Sequence, residues 1–382
     1  MNKICNIVNQ LKLIKLNLAI VLLILGIGTV QGIESEEIIF DDIGLRDGIT
    51  SDIHLKVFTN EKKLEGETIF AIAGWSHTAN SWEPFAKALF DDNKNNIYKV
   101  IAIDMPGQGD STIYPTNAFE TLTLYDYVNV NLITLDLLKR DNQNKDLKTI
   151  IGHSQGGLVI QMMQQALKEK DLDLNKFGIK NVILLASATP REIDVSYRNT
   201  LDVVTFVNIF LIDGYPELET EMAEKYGYHF YLPNEFWRQF FYIKSNDGTV
   251  SSKAPGIDQV ERYNARGPLS ASSQLMGLAL IGSPDANYPY WEEDDVLLDN
   301  NLRPSIDRGI FKNKIELNIV SYTQDTLVRP DENYLLYKYL TGKEDDDENF
   351  VVIEGDKLHD SVHDLHISDP KYLIKNIRDM IP

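Results

Sequence analysis

The run Thr149-Ile150-Ile151-Gly152-His153-Ser154-Gln155-Gly156-Gly157-Leu158-Val159 leaves this chain few ways to fold locally. Its β-branched apolar residues predict a short buried strand that ends at Gly152. Apolar residues at helical spacing resume just after the paired glycines and continue to Lys168. The reading is strand, sharp turn, helix, with Ser154 at the apex. A serine hydroxyl is a poor nucleophile, so it needs a base beside it and a site for the developing oxyanion in front of it. Glycines on either side let neighbouring backbone come close, and a helix starting after the serine points N–H groups at negative charge. In isolation G-x-S-x-G also describes a glycine-rich turn. Its place between strand and helix favours the catalytic reading.

From Glu37 onward, β-rich runs alternate with amphipathic segments, the pattern of a mostly parallel sheet flanked by helices. Expected strands are Ile38–Phe40, Ile53–Phe58, Thr68–Ala73, Tyr98–Ile103, Lys148–Ile151, Val182–Ala186, Ile315–Ser321 and Phe350–Ile353. Expected helices are Trp82–Phe90, Leu124–Lys139, Gly156–Lys168, Glu332–Leu340 and Pro370–Met380, the last opened by Asp369-Pro370. The alternation stops after Pro190 and resumes only after Phe311. A stretch that long is no bare loop, so it is expected to be a helical insertion. Its aromatics, such as Phe236-Trp237 and Phe240-Phe241-Tyr242, are read first as the core of that insertion and collectively as the roof of an apolar pocket. The acidic run Glu344–Glu348 is read as a solvated turn, not a metal site.

A chain of 382 residues with 43% hydrophobic content can bury one large α/β domain carrying an insertion, or two domains. The net charge of −20 sets it against phosphate, so nucleic acid is not an expected partner. Lys3, Lys12 and Lys15 precede an apolar run from Leu16 to Val30, and Val30-Gln31-Gly32 suits cleavage. That is the layout of a secretory leader over residues 1–32, placing the body outside the cytosol. An uncleaved signal-anchor is the rival, although the run is short against the roughly 20 residues of a membrane span. The one cysteine, Cys5, lies in the leader, so no disulfide is expected, and no N-x-[ST] sequon occurs.

Two further loops follow expected strands: Gly74-Trp75-Ser76-His77-Thr78-Ala79-Asn80-Ser81-Trp82 and Asp104-Met105-Pro106-Gly107-Gln108-Gly109-Asp110-Ser111. Together with the serine turn, they resemble the α/β-hydrolase superfamily over Ile38 to Pro382, the insertion excepted. The H-G-x-x-G…W pattern maps onto Ala73 to Trp82 and D-x-P-G-x-G-x-S onto Asp104 to Ser111. Ala73 stands where many members carry histidine, and His77 where they often carry glycine; neither change removes a backbone donor. The resemblance implies an eight-stranded, mostly parallel sheet with a helical lid inserted after the sixth strand. The division is then leader 1–32, core 33–190, lid 191–311 and core 312–382. It further implies an oxyanion hole from the backbone N–H groups of Trp75 and Gln155. His77, Asp110 and Ser111 are read as polar turn-capping residues.

By the same resemblance the acid is Asp325, in Gln324-Asp325-Thr326-Leu327-Val328-Arg329-Pro330, which is similar to the family's G-x-x-D-x-x-V-P turn. Asp331 is the better candidate for a helix cap. Three histidines, His359, His363 and His366, lie between the last strand and the last helix. The family's spacing to the following proline selects His363 as the base, with His359 the closest rival and His366 behind it. His54, His153 and His229 are read as structural or surface residues. The expected activity is hydrolysis of a small, apolar carboxylic ester through an acyl-enzyme, with no metal or organic cofactor implied. A proline aminopeptidase, an acyltransferase of the same fold and a non-catalytic binding protein are the alternatives.

Overall fold

The computed structural model describes residues 33–193 and 304–381, short stretches within them excepted, and the backbone of 242–244 and 250–253. In chain order the strands are β1 (Ile33–Arg46), β2 (Ile49–Asn60), β3 (Glu67–Ile72), β4 (Ile97–Ile103), β5 (Leu147–His153), β6 (Asn181–Leu185), β7 (Tyr242–Lys244), β8 (Val250–Lys253), β9 (Glu316–Tyr322) and β10 (Phe350–Ile353). The α-helices are α1 (Glu83–Asp91), α2 (Leu124–Arg140), α3 (Gln155–Lys168), α4 (Pro330–Thr341), α5 (Leu365–Ser368) and α6 (Pro370–Ile377). Eight strands form one sheet in the order β1-β2-β4-β3-β5-β6-β9-β10. From β4 to β10 every pairing is parallel, while β1 and β2 run antiparallel at one edge.

Central strands are buried on both faces, as a sheet covered by helices requires. Successive residues alternate between two cores. Phe70, Ile72, Ile150, Val182 and Leu184 face the side packed by α2, α3 and α4. Ile69, Ala71, Ile151, Ile183 and Leu185 face the side packed by α1 and α6, where Trp82, Phe85 and Leu373 are fully buried. Helix α6 starts as its sequence indicates: Pro370 occupies the first turn and the Asp369 carboxylate accepts the N–H of Tyr372.

Three expectations need correction. β1 starts at Ile33, five residues before the expected start, because Glu34, Ser35 and Glu36 form an exposed edge strand that carries no apolar alternation. Asp331 is not a cap: α4 begins at Pro330 after Arg329, and Asp331 instead binds the Arg329 guanidinium through both carboxylate oxygens. Within the insertion, where no strand was expected, β7 and β8 pair as an antiparallel hairpin. The remaining expectations for residues 1–32 and for the insertion's aromatics lie outside the described residues.

The insertion leaves and rejoins the core at one place. The Arg191 N–H donates to the Pro304 carbonyl at 3.1 Å, and the Glu192 carboxylate accepts the Ser305 hydroxyl and the Ile306 N–H. Ile193, Ile306, Ile310 and Phe311 are buried in the main core.

Candidate active site

Ser154 follows β5, which lies between β3 and β6 near the middle of the sheet. Its backbone sits at φ 52°, ψ −118°, a conformation that costs a residue with a side chain roughly 1–3 kcal/mol. The surroundings enforce it. The Ser154 N–H donates to Leu185 O at 2.9 Å, and Ser154 O accepts the N–H groups of Gly157 and Ala188, each at 3.0 Å. Helix α3 starts at the next residue, Gln155, which is buried.

Close approach by β3 explains the glycines. A Cβ at Gly156 would lie 2.4 Å from Ile72 O and 2.6 Å from Ala73 O, so the first turn of α3 rests on the end of β3. The chain leaving β3 then passes the serine: a Cβ at Gly74 would lie 3.1 Å from Ser154 Cβ. Trp75, the next residue, is partly buried. The two segments assigned to an oxyanion hole therefore meet at Ser154.

Asp325 and His363 come together from the ends of β9 and β10. The His363 Nδ1 and Asp325 Oδ2 are 2.7 Å apart, with residue exposures of 6% and 5%. Asp325 Oδ1 accepts the Val328 N–H at 2.9 Å, which fixes the carboxylate plane. Burial raises the Tyr322 phenol well above its ordinary range, and the nearby Asp325 and Asp364 add to this. The long loop from β10 is latched to the acid turn. Ser361 N–H donates to Gln324 Oε1 at 2.9 Å, Gln324 N–H donates to Ser361 O and Oγ, and the Thr323 and Ser361 hydroxyls are 2.8 Å apart. Neither Gln324 nor Ser361 was singled out from the sequence, because their contact forms only when two loops 37 positions apart meet.

The other histidines separate cleanly. His359 pairs its Nδ1 with Asp369 Oδ2 at 2.6 Å and stacks on Tyr372 with ring centres 4.1 Å apart. His363 instead reaches the elbow, its ring centre 4.6 Å from that of His153, the residue before Ser154. His366 is fully buried on α5, 4.4 Å from the His153 ring and 4.9 Å from the Trp82 ring.

Four histidines, His77, His153, His363 and His366, thus gather around the residue that precedes the serine. His77, expected as a turn cap, is 3% exposed and stacks on His153 at 5.5 Å. Burial holds both His153 and His366 well below the ordinary imidazole range, and their neighbouring histidines push the same way. Both are neutral near pH 7. The Asp104 carboxylate closes the adjoining loops, Oδ1 accepting the Ala79 N–H at 2.6 Å and Oδ2 the Asp110 N–H at 3.1 Å. Burial pushes it up to about 6 despite those two donors. Ser111 caps as expected, donating to Asp104 O and accepting the His54 N–H. Asp110 does not cap; its side chain is exposed and only its N–H takes part.

The model of the alpha/beta hydrolase fold family matches residues 67–203, which contain the serine turn and both glycine loops. With the eight-stranded, mostly parallel sheet, this gives the chain the α/β-hydrolase fold. Among solved structures, a bacterial membrane phospholipase A aligns over 91% of this chain and 86% of its own, at 16% identity and a TM-score of 0.51. A lipase-esterase related protein from Clostridium acetobutylicum aligns over 86% of this chain and 99% of its own, at 16% identity and a TM-score of 0.48. Potato epoxide hydrolase I aligns over 91% and 98%, at 16% identity and a TM-score of 0.45. At such identities the likeness is one of fold alone. No curated protein sequence matches the chain.

Proposed function

We propose that this protein is a serine hydrolase that cleaves carboxylic esters through an acyl-enzyme. The observation that carries the reading is the strained Ser154 elbow at the same sheet end as the buried His363–Asp325 pair, 2.7 Å apart. In this mechanism His363 takes the proton from the Ser154 hydroxyl as its oxygen attacks the ester carbonyl. The tetrahedral oxyanion is held by the N–H groups of Trp75 and Gln155, each donor of this kind contributing about 3–4 kcal/mol to the barrier reduction. Asp325 accepts from Nδ1 and stabilises the imidazolium. His363 then protonates the leaving alcohol, and a water that it deprotonates releases the acid. A serine at the elbow speaks against epoxide opening, for which resembling enzymes place a carboxylate there.

The insertion between β6 and β9 serves as a lid over an apolar substrate, and the N-terminal leader directs the protein out of the cytosol. Among the described residues no helix is long and apolar enough to cross a membrane.

A fluorophosphonate probe tests the chemistry directly. Stoichiometric labelling of Ser154, located by peptide mass spectrometry and lost in Ser154→Ala, is the expected result. Folded protein that takes no label, or takes it equally in Ser154→Ala, rules the reading out and leaves a binding protein.

A further inference from the structure

We propose that His77, His153 and His366 form a buried site for a zinc-class divalent metal ion beside the Ser154 elbow, with the Asp364 carboxylate next to two of them. One ligand atom from each of the three histidines lies within 4.8 Å of the others. Asp364 Oδ1 is 3.5 Å from His153 Nε2 and 3.6 Å from His77 Nε2. Those separations are long for hydrogen bonds. They are close to the edge of a tetrahedron around zinc, roughly 3.3–3.4 Å for metal–ligand bonds of about 2.0–2.1 Å.

All four residues are at most 3% exposed. Among the described residues, neither nitrogen of His366 has a hydrogen-bond partner, and Asp364 Oδ1 has none within hydrogen-bonding distance. A buried imidazole with both nitrogens unsatisfied is costly, and so is a buried carboxylate oxygen, unless something else takes their lone pairs. A metal ion does so for both at once. The donor set also selects the ion: imidazole nitrogens suit zinc and its first-row neighbours, whereas calcium and magnesium call for oxygen.

The site spans three segments: His77 from the loop after β3, His153 from the end of β5, and Asp364 and His366 from the start of α5. Bound metal pins together the segments that carry Trp75, Ser154 and His363. Coordination through His153 Nε2 moves the ring proton to Nδ1 and releases the 2.9 Å hydrogen bond that Nε2 makes to the carbonyl of His363.

The test uses the full chain, stripped with a chelator and dialysed against Zn2+ or Co2+ at pH 7.5. One equivalent bound, a tetrahedral Co2+ ligand-field spectrum and a raised unfolding temperature are expected. His366→Phe keeps a ring in the buried slot and removes two unsatisfied nitrogens, so metal-free it unfolds at or above the wild-type temperature. Its affinity for Zn2+ falls more than about 100-fold, beyond what losing an outer-sphere partner gives, and added metal no longer raises its unfolding temperature. Asp364→Asn weakens binding in the same direction. Wild-type protein that unfolds cooperatively yet binds no stoichiometric metal overturns the proposal, as does equal affinity in wild type and His366→Phe. These readouts do not depend on Ser154 chemistry, so the site stands or falls apart from the proposed hydrolysis.

Discussion

His153 Nε2 lies 2.9 Å from the carbonyl oxygen of His363, joining residues 210 positions apart. A carbonyl only accepts, so Nε2 carries the proton and this neutral ring has its lone pair on Nδ1. The residue before the candidate nucleophile thereby holds the backbone of the candidate base. In metal-free protein, losing that donor in His153→Phe is expected to lower kcat for a p-nitrophenyl ester by about 100-fold, the effect of a misplacement near 1 Å. KM changes little, and His153→Gln, which retains an N–H donor, recovers part of the loss. Steady-state kinetics on the three proteins decides it.

The two rival histidines make opposite predictions. His363 is buried against Asp325, whereas His359 is paired with Asp369 and stacked on Tyr372. His363→Ala is expected to abolish the acylation burst, a loss on the order of 10³-fold or more. His359→Ala retains kcat within a few-fold and loses stability instead. A full burst in His363→Ala sinks the assignment.

Gly156 faces the carbonyl oxygens of Ile72 and Ala73, and a methyl group there would overlap both. Backbone cannot swing aside as a flexible side chain does. Gly156→Ala is therefore expected to destabilise the protein by about 2–3 kcal/mol, the upper part of the range for overpacking, despite alanine's better helix propensity. Urea unfolding measures it; a stabilised variant would show that α3 does not rest on β3.

Acid sensitivity follows from the buried histidines. His153 and His366 are held neutral in the fold, while the unfolded chain takes up protons below the ordinary imidazole value of about 6.5. The unfolded state then binds more protons, so stability is fully present above about pH 6.5 and is lost as pH falls. Two such groups contribute a slope of about 2.7 kcal/mol per pH unit below that point, and His366→Phe removes about half of it. Urea midpoints of metal-free protein at pH 7.5 and 5.5 test this; an unchanged slope in the variant contradicts the burial argument.

Much of the fold was legible because its strands carry their own signal. Phe350–Ile353 was expected residue for residue, since a short β-rich run between charged turns admits one reading. β1 was cut short because an edge strand tolerates Glu34, Ser35 and Glu36, which hide its start. The hairpin of β7 and β8 was missed because Tyr242 falls in an aromatic run whose spacing also suits a helix. At the site, Ser154, Asp325 and His363 were marked by motifs and are brought to one end of the sheet. His77 was misread, because a lone histidine in a glycine-started loop says nothing about the ring it will stack on. The His77–His153–His366 cluster exists only once three distant segments meet, and no local spacing encodes that.

The clamp between Arg191 and Pro304, reinforced by Glu192, has a bearing on how such a protein changes over time. Whatever sequence is strung between those two anchored ends, the sheet experiences the same pair of fixed attachment points. Under the proposed lid role, replacement of the intervening segment would redirect which molecules are admitted while leaving those two attachment points in place. On that proposal, selection would retune specificity there without reopening the problem of folding the rest.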